Sequence, residues 1–196
     1  MADRLSEYKR KRDLDRTPEP APGRGRKRRK PIFVIQQHDA RTLHYDFRLE
    51  VDGVLASWAV PKGPSTDTRT RRLAIRTEDH PMEYADFEGV IPKGEYGAGT
   101  VIVWDQGTYR NLMGEKDEPL SMEEALERGH VEVWLEGRKL RGGFTLVRIE
   151  EEPREQWLLI KMKDREADAR RNPVSTEPES VISGKPLEQV RKEAEA

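Results

Sequence analysis

Two histidines and an aspartate, His38, His44 and Asp46, stand at the spacing H-x5-H-x-D, and Arg48 follows two residues later. Imidazole nitrogens and a carboxylate oxygen are donors suited to a borderline divalent ion such as Mn2+ or Zn2+. Three protein ligands leave positions open for substrate and water. A guanidinium beside such an ion can clamp a phosphate oxygen through two parallel hydrogen bonds. The chain has only four histidines, and two of them fall within these seven residues. Spacing alone leaves two readings open: a metal-assisted phosphate-ester site, or satisfied polar residues on a barrel wall.

A strand must carry this row. With period two, His44, Asp46, Arg48 and Glu50 fall on one face, about 7 Å apart from one to the next, and Tyr45, Phe47, Leu49 and Val51 form an apolar face opposite. A third histidine, His80, lies in Thr77-Glu-Asp-His-Pro81 just after a strand candidate. Pro81 restricts the backbone before it, so His80 is expected in a loop at the sheet rim, as a general acid, a phosphate ligand or a plain surface residue. His130 is assigned no role. Lys62, in Trp58-Ala-Val-Pro-Lys-Gly-Pro64, is rigidly displayed between prolines and a glycine. Ile91-Pro-Lys-Gly-Glu-Tyr-Gly-Ala-Gly99 is glycine-rich but lacks the G-K-[ST] ending of a phosphate-binding P-loop and enters no helix. It is expected to serve tight turns and close backbone packing.

Strands are expected at 33–38, 44–51, 54–60, 72–76, 100–104, 107–111, 130–136, 143–149 and 156–161. Asp52-Gly53 is a two-residue hairpin signal, and Asp105-Gln106-Gly107 also looks like a turn. Met122 to Arg128 reads as a helix, with Ser121 and Glu124 as a capping box and Gly129 as its stop. A second, weaker helix is expected from Leu187 to Ala196. Many short strands with one or two helices indicate a mainly β fold, an antiparallel sheet closed into a barrel or sandwich.

Of 196 residues, 34% are hydrophobic and 37% charged, so a small core carries a heavily charged surface. With no cysteine, disulfides and thiolate metal sites are excluded, and any metal must sit on His, Asp or Glu. The sequence has no apolar run long enough for a membrane span and no signal-peptide core, so a soluble, cytoplasmic protein is expected. Residues 1–30 hold 12 Lys and Arg against 5 Asp and Glu, whereas residues 31–165 hold 19 against 25. Residues 1–30 are therefore read as a basic, largely flexible arm, 31–165 as a β-barrel and 166–196 as a charged tail. The run from Gly23 to Lys30 suits nonspecific phosphate contact.

The strings HDARTLHYDFRLE, SWAVPKGPS, RLAIRTEDHPMEYADFEGVIPKGEYGAGTVIVWDQGTY and KRDLDRTPEP together resemble the 3′-phosphoesterase domain of prokaryotic DNA ligase D and its free-standing relatives. The similarity covers roughly residues 8–20 and 33–165, and also Ser180–Gly184. It implies a closed, eight-stranded antiparallel β-barrel with a crescent-shaped cavity. It also implies a Mn2+-dependent activity, with Zn2+ or Co2+ as other candidate ions. A 3′-terminal ribonucleoside is released from DNA, and the 3′-phosphate left behind is hydrolysed to a 3′-OH. By motif match His38, His44 and Asp46 hold the metal, and Arg48 and His80 hold the phosphate. Glu78 and Tyr84 join those two in the catalytic set. Lys62, Arg72 and Gln36 match further cavity residues, and Arg12, Asp13 and Glu19 match the N-terminal motif. The partners implied are primer-template 3′ ends, including ribonucleotide-terminated ones, and a separate DNA ligase. The expected state is a monomer with no membrane association.

Two rival readings stand beside this one. A non-catalytic, metal-containing barrel could bind DNA ends without turnover; the complete set His38, His44, Asp46, Arg48 and His80 counts against it. A cupin-like metal barrel could act on small molecules; the basic arm and the display of Lys62 and Arg72 count against that.

Overall fold

Asp52 and Gly53 adopt φ of 51° and 80° and reverse the chain between Val51 and Val54, which pair directly. This is the geometry that a two-residue turn with both central residues left-handed requires. The hairpin is one step in a continuous antiparallel ladder seen in the computed structural model, which describes residues 3–23 and 30–196. Nine strands form it: β1 Ile32–Asp39, β2 Leu43–Val51, β3 Val54–Val60, β4 Arg71–Pro81, β5 Gly89–Ile91, β6 Gly99–Asn111, β7 His130–Gly137, β8 Arg141–Glu150 and β9 Gln156–Lys161. The order β1-β2-β3-β4-β9-β8-β7-β6 closes through β6 pairing with β1. The result is an eight-stranded antiparallel barrel, and β5 is an extra strand on the first residues of β6. Among the described residues four α-helices join it: α1 Ser6–Arg10, α2 Met122–Arg128, α3 Pro173–Thr176 and α4 Leu187–Glu195. Helix α2 carries both halves of its capping box and ends on left-handed Gly129, and α4 occupies most of the expected C-terminal segment.

The barrel interior takes one face of each of the eight barrel strands. Phe33, Ile35, Tyr45, Phe47, Trp58, Trp104, Phe144 and Trp157 belong to a single buried cluster there. Trp58 meets Trp157, and Tyr45 meets Trp104, edge to face at 5.6 Å, the arrangement favoured by the ring quadrupoles. A second buried cluster lies on the outer face of β1, β3 and β6, where Val34, Leu55, Val101 and Val103 pack against Tyr8, Met82, Tyr84, Phe87 and Ile91. The cover comes from the N-terminal segment, the 3-10 turn Met82–Asp86 and β5. One outer wall of the barrel is therefore roofed, and polar residues on it are withdrawn from water.

Two expectations change. Asp105–Gly107 is not a turn, because β6 runs unbroken through it. The Asp105 carboxylate accepts from the backbone N–H groups of Arg138, Lys139 and Leu140 and so fastens the β7–β8 turn. At Gly107 any Cβ would collide with the backbone of Glu136, so glycine allows the two strands to approach. His80 is not in a loop: β4 continues to Pro81 at its end, where a missing N–H costs no interior ladder bond. Residues 3–20 are held against the barrel. Tyr8 is fully buried and its hydroxyl donates to Pro20 O at 2.7 Å. Of the basic run, residues 24–29 lie outside the described residues.

Candidate metal and phosphate site

Strands β1 and β2 pair so that His38 faces His44 and Gln36 faces Asp46. All four side chains, with Arg48, project to the roofed outer wall. Asp46 lies between the imidazoles, with Oδ2 3.4 Å from His38 Nδ1 and Oδ1 3.3 Å from His44 Nε2. One ligand atom from each of the three residues can be chosen so that all lie within 4.8 Å of one another. Each imidazole uses its other nitrogen on a main-chain carbonyl: His38 Nε2–H donates to Gly97 O at 2.7 Å, and His44 Nδ1–H to Thr42 O at 3.0 Å. Such bonds fix ring orientation and tautomer and leave the inward nitrogen as a lone-pair donor. Burial opposes ionisation of Asp46, but the Arg48 guanidinium leads the groups that outweigh it, and the carboxyl is held well below the usual range. Burial likewise works against a charged His44, yet Asp46 raises it above its ordinary value. Two imidazoles and an ionised carboxylate, preoriented at one point, fit a borderline divalent ion.

Arg48 continues the row. Its Nε donates to Gln36 Oε1 at 2.8 Å, Nη2 lies 3.4 Å from Asp46 Oδ2, and Nη1 lies 3.2 Å from His80 Nδ1. Gln36 in turn donates to the carbonyls of Tyr84 and Phe87, and so anchors the roof to β1. His80 reaches the wall through a bulge. Ser57 of β3 pairs with Thr77, but Leu55 pairs with His80, so β4 carries one extra residue over that interval. The bulge lets odd-numbered Thr77 and even-numbered His80 share one face, a recurrent way of re-aiming a side chain beside a site. His80 Nδ1–H donates to Glu78 O at 2.9 Å, which leaves Nε2 unprotonated and 3.3 Å from Arg12 Nη2. Burial first, then the guanidiniums of Arg48 and Arg12, press His80 well below its ordinary pKa, so it is neutral.

The N-terminal segment supplies the far wall. Arg12 is bonded to Glu19 at 3.0 Å and to Glu78 at 3.1 Å, and it stacks on Tyr8 at 4.0 Å. Tyr84 donates to Glu19 at 2.7 Å, and Lys11 reaches Glu78 at 3.1 Å. Burial opposes ionisation of Glu78, but Arg12 and then Lys11 keep it below the usual carboxylate range. Burial and the neighbouring Glu19 push Tyr84 well above the phenol range. The resulting cavity, about 280 Å3, is lined by Arg12, Glu19, His38, His44, Asp46, Arg48, Glu78, His80 and Tyr84 among others. Gln36 supports it from beneath through Arg48.

Three residues of the N-terminal and β3–β4 motifs lie elsewhere. Asp13 is exposed, and its carboxylate accepts from Asp15 N. Lys62 and Arg72, with Arg71, line a separate recess of about 290 Å3. Sequence reasoning passes over Tyr8, Lys11 and Tyr96, and the carbonyls of Thr42 and Gly97. Carbonyls leave no side-chain signature. Tyr8 and Lys11 are hidden in a segment that reads as a charge run, although an aromatic in such a run is itself a signal of docking.

Residues 36–148 match the family model of the DNA ligase D 3′-phosphoesterase domain. The multifunctional non-homologous end joining protein LigD of Pseudomonas aeruginosa is 50% identical over 188 residues, covering 93% of this chain and 22% of that protein. The corresponding DNA repair protein LigD of Mycobacterium tuberculosis is 48% identical over 172 residues, covering 84% of this chain and 20% of that protein. The chain thus spans about a fifth of the length of these curated relatives. With more than half of its residues inside the matched segment, the chain belongs to the DNA ligase D 3′-phosphoesterase domain family.

Proposed function

We propose that this protein is a metal-dependent phosphoesterase that clears blocked 3′ ends of DNA in end joining, removing a 3′-terminal ribonucleoside and then the remaining 3′-phosphate. The observation that carries this reading is the unbroken row from His38, His44 and Asp46 through Arg48 and His80 to Arg12 in one cavity. Such a row offers cation ligands at one end and two guanidiniums beyond them, an arrangement matched to a phosphate ester. A divalent ion held by the triad, Mn2+ with Zn2+ or Co2+ as alternatives, would polarise the phosphoryl oxygen and lower the pKa of water. Arg48 and Arg12 bind the non-bridging oxygens and stabilise the charge that grows on them, in a site screened from water. His80 enters neutral, and an anion placed between the two guanidiniums raises its proton affinity. Its Nε2 then carries a proton that it can hold against, or give to, the ester oxygen. Glu78 and Glu19 keep Arg12 extended, and Tyr84 steadies Glu19. Asp13 is assigned to the surface around the docked segment. Lys62 and Arg72 are assigned to contact phosphate outside the central cavity.

Support for a DNA partner comes from the family and from the relatives, whose names place them in end joining. A separate ligase as partner, a cytoplasmic location and a monomeric state belong to the same reading. The test is incubation with Mn2+ and two primer-templates, one ending in a single ribonucleotide and the other in a 3′-phosphate. Stepwise shortening and dephosphorylation are expected. Binding without turnover would favour the non-catalytic end-binding barrel, and neither binding nor turnover would overturn the proposal.

A further inference from the structure

Beside the central cavity lies a larger groove of about 690 Å3, bounded by α1, the outer edge of β4 and Arg154. The two share a wall made by Thr77, Glu78 and Tyr96. The groove is within the usual size range of small-ligand sites, ~300–1,000 Å3. Its charge says what it does not take. Four basic side chains line it, Arg4, Lys11, Arg76 and Arg154, and five carboxylates face them. Arg4 and Arg76 are both paired with Asp79, and Lys11 is paired with Glu7 and Glu78. A continuing strand of phosphates needs unpaired cations, and this groove is mixed in sign. It suits an uncharged, hydroxyl-rich ligand, whose O–H groups donate to Glu127 and Glu155, the groove carboxylates that, among the described residues, are not paired with its cations.

Tyr96 stands where the groove opens into the cavity. It is 46% exposed, on a loop whose adjoining residues Glu95 and Gly97 are half-buried. Arg12 and Lys11 lie over its ring, 5.2 Å and 4.9 Å from the centroid. Left-handed glycines at 94 and 97 frame the turn that presents it. The next residue, Gly97, gives the carbonyl that anchors His38, so the ring is tied by one peptide unit to the metal triad. Bases stack on such exposed rings without sequence preference.

We infer that Tyr96 and this groove form the binding site for the departing ribonucleoside, with the base stacked on the ring and the ribose hydroxyls facing the groove carboxylates. This inference rests on the proposed phosphoesterase activity and adds a subsite that only the diester substrate uses. A 3′-phosphate end has no terminal nucleoside and would leave the groove empty.

The experiment compares wild type, Tyr96→Ala and Tyr96→Phe on primer-templates ending in one ribonucleotide or in a 3′-phosphate. Tyr96→Ala is expected to slow ribonucleoside release by about tenfold, with 3′-phosphate hydrolysis changed less than about twofold and the loss expressed mainly in KM. Tyr96→Phe should restore the diester rate, because the ring and not the hydroxyl carries the contact. A second readout needs no turnover: with EDTA present, a primer ending in 2-aminopurine ribonucleotide should be quenched on binding wild type and Tyr96→Phe but not Tyr96→Ala. An unchanged ratio of the two rates in Tyr96→Ala, or equal quenching by all three proteins, would overturn the subsite. A wild type that quenches yet cleaves neither end would leave the stacking site standing and sink the phosphoesterase reading instead.

Discussion

His38 and His44 face each other across the β1–β2 ladder with ring centroids 4.8 Å apart, and both turn their free nitrogens toward the same carboxylate, Asp46. Their outer nitrogens are bound to Gly97 O and Thr42 O. Neither ring needs to rotate to receive an ion, so the donor set is preorganised.

His44→Ala removes one of three donors from that set. Loss of a supporting hydrogen bond alone typically costs ~10–100-fold in metal affinity, and loss of a ligand should cost at least as much. Calorimetry with Mn2+ is expected to show affinity weakened by about 100-fold or more, with both 3′-end activities lost. Unchanged affinity would remove His44 from the site.

Arg12→Ala tests whether the N-terminal segment is docked. Arg12 and Glu19 are nearly inaccessible, with side-chain exposures of 4% and 1%, and Glu78 is buried beside them. Breaking a buried pair from one side costs ~3–5 kcal/mol because a charge is left without its partner; Lys11 remains on Glu78, so about 3 kcal/mol is expected. Urea unfolding gives the number. A change below about 0.5 kcal/mol, the scale of a surface substitution, would mean that residues 3–20 leave the barrel in solution.

The pH dependence of stability should carry a signature of His80. Its folded pKa lies well below the ordinary ~6.5, first from burial and then from Arg48 and Arg12. Between those two values the unfolded chain binds a proton that the folded protein does not, so unfolding free energy rises with pH across the interval. The penalty is absent above ~6.5 and grows as pH falls. His44, raised in the folded state, has the opposite sign: it stabilises at low pH, and that contribution is lost as pH rises through its folded value. In the difference between wild type and His80→Gln the His44 contribution cancels. The variant is expected to lose less stability than wild type between pH 7 and pH 5.5, by up to roughly 1.4 kcal/mol per pH unit. Parallel stability curves would show that His80 titrates as it does in the unfolded chain.

The basic run is tested by salt. Arg24, Arg26, Arg28, Arg29, Lys27 and Lys30 carry six positive charges in eight residues from Gly23. Replacing them with Gln should weaken DNA binding equally for all sequences. It should also flatten the plot of log K against log salt by about 0.9 for each phosphate that is no longer neutralised. Turnover at saturating DNA should stay the same. An unchanged slope would make the run a solvated leader.

Much of the barrel was legible along the chain because its two periods are local. Tyr45, Phe47, Leu49 and Val51 alternate with His44, Asp46 and Arg48 on a single strand, and strand geometry alone puts the second set together. Ser121, Glu124 and Gly129 likewise bound α2 by bonds made within a few residues. What the sequence could not show depended on contacts between distant residues. The bulge opposite Leu55 and Ser57 changes the parity of β4 and brings His80 to the face of Thr77, a change of register that no alternation along the strand reveals. The barrel's inside and outside are equivalent in a strand pattern, and only closure assigns the aromatic face to the interior. Most of all, Tyr8, Arg12 and Glu19 acquire their meaning from Tyr84, Glu78 and His80, more than sixty residues away. A charged segment looks solvated until the complementary charges that bury it are placed opposite, and that placement belongs to the tertiary fold.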